Sequence, residues 1–275
     1  MPKERVDVLA YRQGLFDTRE QARRAVMAGL VLAADNGQRF DKPGEKIEAD
    51  IQLIRKGEKM PYVSRGGLKL AKALQVFAID VKDKIALDIG ASTGGFTDVL
   101  LQNGAQLVYA VDVGRNQLVW QLRQDPRVRS MEQYNFRYAL PDDFTEGEPD
   151  LAVIDVSFIS LKLILPALQA ILADGGQVVA LVKPQFEAGR SQVGKKGIVK
   201  DKTVHAAVLS TITDFALTGG FTISGLDFSP IQGGQGNIEF LAYLQKAANP
   251  VNRVAGAIPK VTEQAHKEFS KHEEK

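Results

Sequence analysis

The chain has 275 residues, 44% hydrophobic and 25% charged, enough to bury a sizeable core in one or two domains. It contains no cysteine, which excludes disulfides, thiolate metal sites and cysteine nucleophiles, and its three histidines (His205, His266, His272) have no metal-ligand spacing. A net charge of +2 does not by itself point to nucleic acid, and neither a membrane-length apolar run nor a secretory signal is visible, so a cytoplasmic protein without a metal centre is expected.

From Lys3 the pattern predicts a small α+β domain, helical first and then built of short strands. Val6, Leu9, Ala10, Ala22, Val26 and Met27 recur at helical spacing. Thr18 is placed to cap the helix that opens with Arg19-Glu20-Gln21-Ala22, and Gly29 to end it. Turns at Asp35-Asn36-Gly37 and Lys42-Pro43-Gly44 separate a strand at 30–34 from one at 47–54. Mixed charge and proline at 55–61 read as a linker, and the domain limits are set at 1–59, 60–67 (linker), 68–246 and 247–275. Beyond the linker, β-branched runs at 85–89, 107–113, 151–156, 177–182, 221–228 and 238–244 alternate with helical patterns. Such alternation predicts a doubly wound, mostly parallel α/β sheet. The polar stretch from 247 to 275 is expected to be a frayed helix or disordered.

The run Asp88-Ile-Gly90-Ala91-Ser92-Thr-Gly94-Gly-Phe96 follows a predicted strand and opens a helix, where an α/β sheet places a nucleotide. It has no lysine after Gly94-Gly95 and is not G-x-G-x-x-G, so a nucleoside fits better than a triphosphate or a dinucleotide. Asp112 ends the next strand, placed to accept hydrogen bonds from ribose hydroxyls. The alternatives open at this level are that the glycines only serve a tight turn and that Asp112 caps a helix.

Asp88-Ile-Gly-Ala-Ser-Thr-Gly-Gly-Phe96, Asp155-Val-Ser-Phe-Ile-Ser160, Lys183-Pro-Gln-Phe-Glu187 and Ser64-Arg-Gly-Gly-Leu-Lys69 occur in this chain. With them it resembles the TlyA family of hemolysin-named ribosomal RNA 2′-O-methyltransferases, whose catalytic domain is of the FtsJ type. The N-terminal segment is similar to the RNA-binding domain named after ribosomal protein S4, through Arg5-Val-Asp-Val-Leu9, Thr18-Arg-Glu-Gln-Ala22 and Lys42-Pro-Gly44. The resemblance implies a Rossmann-like class I methyltransferase fold with a seven-stranded sheet, and S-adenosylmethionine as cofactor. It implies a catalytic set of Lys69, Asp155, Lys183 and Glu239. Cofactor contacts are implied at Asp88, Gly90, Ala91, Ser92, Gly94, Phe96 and Asp112, with Asn135 near the adenine. The partner implied is ribosomal RNA or a ribosomal subunit, with no membrane and no metal; a cytidine ribose is the implied acceptor.

A ribose hydroxyl is a poor nucleophile at neutral pH, so transfer requires alignment and a group that accepts or orients its proton. Lys183, ending an apolar strand, is the candidate for either role. A free lysine is charged, with a pKa of ~10.4, and acts as a base only when burial or a like charge such as Lys69 brings that value down. Asp155 and Glu239 oppose that change while holding both ammonium groups. In the plainer reading Lys69 sits on a solvated helix face and Glu239 is the polar position of an alternating strand. Glu187 and Arg190 fall in a loop with Gly189, Gly194 and Gly197, read as a substrate flap or a plain solvated loop. Residues 1–72 hold fifteen Lys and Arg against ten Asp and Glu, concentrating positive charge N-terminally. Arg5, Arg19, Arg23, Arg24 and Arg65 are the candidate phosphate contacts. The rival classes are a pore-forming hemolysin, a non-catalytic RNA-binding assembly factor and a small-molecule methyltransferase.

Overall fold

The computed structural model describes residues 3–16, 18–56, 61–254 and 256–270. The chain divides into a unit Met1–Pro61 and a unit Tyr62–Lys275. In the first, β1 (Lys3–Arg5) leads directly into α1 (Val6–Arg12) and α2 (Arg19–Met27). β2 (Val31–Ala33), β3 (Arg39–Phe40), β4 (Lys46–Glu48) and β5 (Leu53–Arg55) follow. The Thr18 hydroxyl accepts the Gln21 N–H at 3.2 Å, satisfying one free donor at the start of α2, and Gly29 at φ +64° turns the chain out of it. The stretch 47–54 is two strands rather than the one expected. β4 pairs antiparallel with β1, and β5 with β2. Between them the Ile51 N–H bonds back to the Glu48 carbonyl at 3.2 Å, so the chain turns and changes sheet. Val6, Leu9, Ala22, Val26 and Phe40 form the buried centre of this unit.

The second unit opens with α3 (Gly67–Val76), β6 (Ile85–Ile89), α4 (Gly95–Gln102), β7 (Leu107–Val111), α5 (Trp120–Arg123) and β8 (Val128–Met131). It continues through β9 (Leu151–Ile154), α6 (Leu165–Ile171), β10 (Gln177–Val182), α7 (Pro184–Glu187), α8 (Lys202–Thr218), β11 (Phe221–Phe228), β12 (Phe240–Lys246) and α9 (Ile258–Phe269). β6 to β12 make one sheet in the order β11-β12-β10-β9-β6-β7-β8, with β12 antiparallel to both neighbours and the rest parallel. This is the expected doubly wound sheet. β8 is absent from the sequence reading because it is an edge strand with only Val128 buried, which leaves no apolar run to see.

Every residue of β9 is buried, as are most of β6 and β10, yet their side chains still alternate between faces. Leu87, Ile89, Ala152, Ile154, Ala180 and Val182 pack with α6, α8 and α9. Ala86, Leu151, Val153, Val179 and Leu181 pack with α3 and α4. Each such Leu, Ile or Val contributes about 1.5–3 kcal/mol relative to an exposed one.

The stretch after β12, expected to be a frayed helix or disordered, is described at 247–254 and 256–270, and there it packs on the sheet and forms a helix. It first runs along β11, the Ile223 N–H bonding to the Val251 carbonyl and the Arg253 N–H to the Ile223 carbonyl, each at 3.0 Å. α9 then buries Val261, Ala265 and Phe269 in the main core, the Phe269 ring edge-on to Phe228 at 6.2 Å. These positions lie four apart, a single apolar stripe on an otherwise polar helix. Residues 57–60 of the expected linker and the charged end 271–275 lie outside the described residues.

Candidate active site

Parallel strands bring their C-terminal ends to one edge of the sheet, where α/β proteins gather ligands. The chain leaves β6 at Gly90, whose φ is +88° and where a Cβ would stand 2.6 Å from the Asp155 carbonyl oxygen; only glycine fits. Asp155 follows β9 and is tied to the same edge by its N–H, which bonds to the Ile89 carbonyl at 3.0 Å. Lys183 follows β10. Because β12 runs the opposite way, the residue just before it, Glu239, reaches this edge as well, and α3 supplies Lys69.

These four side chains meet. Lys69 Nζ donates to Glu239 Oε2 at 2.6 Å and lies 3.6 Å from Asp155 Oδ2. Lys183 Nζ makes an ion-pair contact of 2.5 Å with Asp155 Oδ1 and donates to the Ser157 hydroxyl at 3.0 Å. Lys69, Lys183 and Glu239 are only 8%, 7% and 2% exposed, so the solvated readings of Lys69 and Glu239 fail. Two ammonium groups balance two carboxylates, which makes the burial of Lys69, Lys183 and Glu239 around the partly exposed Asp155 tolerable.

A cavity of about 490 Å³ opens onto all four. Of the expected cofactor residues, Gly90, Ala91, Ser92 and Phe96 line it, and so does Arg65; Asp88, Gly94, Asp112 and Asn135 do not. Asp88 is fully buried beneath the glycine turn. Its Oδ2 accepts the Thr97 hydroxyl at 2.6 Å, while its Oδ1 has no hydrogen-bond partner. Burial pushes this carboxyl up to about 7 against the opposing bond from Thr97. Asp112 accepts the Ser92 N–H at 2.8 Å and the Gly114 N–H at 2.7 Å, so it holds the turn itself and caps no helix. Asn135 is exposed and accepts the Arg137 N–H at 3.2 Å, starting a short 3-10 turn.

Ser157, Asn237 and Phe158 are among the cavity residues to which the sequence assigned no role. Phe158 is 91% exposed at φ +63°, a conformation that bulky residues avoid, and its ring lies 5.0 Å from that of Phe186 at the cavity mouth. A strained, solvent-facing aromatic carries no sequence signal. Glu187 leaves the expected flap altogether. It is half-buried in α7, accepts the Ser160 hydroxyl at 2.5 Å and the Leu161 N–H at 2.8 Å, and burial pushes its carboxyl up. Arg190 stays exposed in a short turn of the loop.

In the N-terminal unit, the Asp7 carboxylate is buried and accepts Arg5 Nε at 2.9 Å and Arg19 Nε at 3.4 Å. Burial raises this carboxyl, but the bonds and charge of Arg5 and Arg19 outweigh it and hold the group below the ordinary carboxylate range. Two half-exposed guanidinium groups are thereby fixed side by side. Arg23 and Arg24 instead pair along their helix with Glu20, at 3.8 Å and 3.4 Å.

Residues 62–246 match the FtsJ-like methyltransferase family, and residues 4–50 match the S4 domain. The chain belongs to the FtsJ-like methyltransferase family. The TlyA resemblance read from its motifs stands. The chain is 41% identical to the 16S/23S rRNA (cytidine-2′-O)-methyltransferase TlyA of Mycobacterium tuberculosis, over 88% of this chain and 90% of that one. It is 58% identical to YqxC of Bacillus subtilis, a candidate rRNA methyltransferase, over 96% and 95%. A candidate hemolysin of Streptococcus thermophilus superposes with a TM-score of 0.79 at 70% identity, each chain fully covered. Among the described residues of this FtsJ-like chain no group of three or more acidic or histidine side chains is arranged to hold a metal, and no helix is long and apolar enough to cross a membrane.

Proposed function

We propose that this chain transfers a methyl group from S-adenosylmethionine to a ribose 2′-hydroxyl of ribosomal RNA. The observation that carries this reading is the buried, charge-balanced contact of Lys69, Asp155, Lys183 and Glu239 on a cavity that also borders the glycine turn. The relatives named above support the substrate class, TlyA of M. tuberculosis by its cytidine-2′-O activity on ribosomal RNA. A cationic nucleoside fits the residues present. The turn brings backbone close where Gly90 excludes a side chain, and it offers no lysine for phosphates. Each Asp112 oxygen, already bonded to one N–H, keeps a lone pair for a ribose hydroxyl. Asp112 and the residues 90–96 would hold the cofactor, which supplies a methyl group on a sulfonium.

Lys183 is the group for the attacking hydroxyl. As an ammonium it donates one N–H to the Ser157 hydroxyl, is held by the charge of Asp155 in an ion pair, and keeps a further N–H to orient the ribose oxygen. As a neutral amine it would take the proton that the hydroxyl releases. Asp155 bridges the two lysines and fixes the position of Lys183; Glu239 keeps Lys69 in place. Phe158 and Phe186 give the mouth of the cavity an aromatic face on which an unstacked base can lie. The Arg5 and Arg19 pair on Asp7 suits backbone phosphates.

The test is single-turnover methylation of ribosomal subunits, read as ribose methylation by mass spectrometry. Lys183→Ala is expected to lower the rate ~10²-fold or more with cofactor affinity retained. In the wild type, a rate that rises with pH identifies Lys183 as the base, and a flat profile identifies it as the orienting group. Near-wild-type methylation by Lys183→Ala would refute the assignment, and no ribose methylation by the wild type on any ribosomal RNA would refute the function.

A further inference from the structure

The helix α9 lies outside the FtsJ-like match at 62–246 and takes no part in the chemistry above. It nevertheless ends in a run of hydrogen bonds that leads to the cavity. His266 Nε2, on α9, is 2.8 Å from Nδ1 of the fully buried His205 on α8. The other ring nitrogen of His205, Nε2, is 3.0 Å from the Val199 carbonyl oxygen. A carbonyl can only accept, so His205 Nε2 carries the hydrogen, its Nδ1 is the acceptor, and the hydrogen between the rings belongs to His266. From Val199 the run continues. The Val199 N–H donates to Asn237 Oδ1 at 3.1 Å, and Asn237 Nδ2 donates to the carbonyls of Gly197 at 2.9 Å and Gly234 at 3.2 Å. Asn237 is only 3% exposed, and with Gly197 and Gly234 it lines the cavity two residues before Glu239.

We propose that His266, His205 and Asn237 are positioning residues for methyl transfer. They clamp the loop around residues 197–199 to the loop at 233–237 and thereby set Glu239 against Lys69. This rests on the methyl-transfer reading above. The α9 helix then acts on the site at a distance: the Val199 carbonyl sets the tautomer of His205, and His266 on α9 holds that ring in place. The outer Nδ1 of His266 can take a proton without losing the bond between the rings; Nδ1 of His205 cannot. The charges that act on the pair are Asp201 and Lys202 at the start of α8. On α9, Glu263 and Lys267 pair with each other at 2.7 Å. Burial, with the neighbouring His266, pushes His205 down to about 4, so the clamp persists across the neutral range.

The experiment compares full-length wild type with His266→Leu, which cannot donate, and His266→Gln, whose side-chain amide can. A second break of the run, Asn237→Leu, removes both the acceptor of the Val199 N–H and the donor to Gly197 and Gly234 and leaves α9 intact. Backbone amide exchange at Val199 reads the clamp without turnover, and single-turnover methylation at saturating RNA and cofactor reads its effect. His266→Leu and Asn237→Leu are each expected to speed Val199 exchange and to slow methylation ~10-fold or more, the scale on which misplaced reacting groups act. Cofactor affinity should stay as in the wild type, and His266→Gln should restore exchange and rate together. Wild-type exchange at Val199 in both breaking variants overturns the proposal, as does fast exchange with an unchanged rate, a loss of rate matched by a loss of cofactor affinity, or failure of the glutamine to rescue. A wild type that methylates nothing refutes the methyl-transfer reading instead, and the exchange measurements still decide whether the clamp exists.

Discussion

Asp88→Asn isolates the one fully buried carboxyl beneath the glycine turn. The folded protein raises this group from 3.8 to about 7 through burial, with the Thr97 hydroxyl opposing. Between those values the folded state binds more protons than the unfolded one, so the contribution of Asp88 is most favourable below pH 4 and is lost as pH rises through 7. Linkage puts the full cost of the ionised form at about 4 kcal/mol above pH 8, an upper figure for one side chain. Asparagine keeps the size of the side chain and an acceptor for Thr97 and cannot ionise. Urea denaturation of wild type and variant from pH 4.5 to 8.5 should give stability curves that converge at the acid end. They should separate progressively toward pH 7 and run parallel above it, with the variant the more stable. Curves parallel over the whole range would refute a neutral buried carboxyl at this position.

Gly90→Ala places a Cβ 2.6 Å from a backbone carbonyl at φ +88°, and neither can give way. A loss of about 1–3 kcal/mol is expected in thermal melts, and, on the proposed function, so is loss of the stabilising shift expected of S-adenosylmethionine in the wild type. Phe269→Ala removes a side chain 6% exposed from the end of α9 and should cost about 3 kcal/mol in urea denaturation, where a disordered tail would show no change. Arg19→Ala leaves Asp7 paired with Arg5; in filter binding, RNA affinity should fall alike for all sequences, and its slope against salt should drop by about one charge.

What the sequence made legible followed from the physics each feature leaves in the residue order. Buried strands such as β9 and β10 are continuous apolar runs, and a charged residue at the end of such a run, Asp155 or Lys183, stands out at once. Gly90 was legible because a tight approach between backbones demands glycine. Lys69 and Glu239 were visible only by resemblance, since on a helix or beside a strand one charged residue looks like any solvated one; their contact at 2.6 Å spans 170 positions of chain. Strand β8 and the packing of helix α9, expected only as a frayed helix or disorder, were not legible because an edge strand and a one-stripe helix bury too few residues to alter local composition. The break between β4 and β5 was lost because alternation reports that a segment is extended and says nothing about its partner. Phe158 and Asn237 were missed for a further reason: an exposed aromatic and a buried amide each reverse the usual relation between polarity and burial.

The reversed strand β12 has a consequence for how this chain is made. It lies between β10 and β11, although both are synthesised before it. A nascent chain that has emerged only as far as β11 therefore lacks the strand that joins its edge to the sheet. Such a chain also carries Lys69 and Lys183 against Asp155 alone, because Glu239 has yet to appear. The last-made strand thus completes the sheet and neutralises the cavity in a single insertion. Until it does, two lysines face one carboxylate, and the surplus charge disfavours burial of the site.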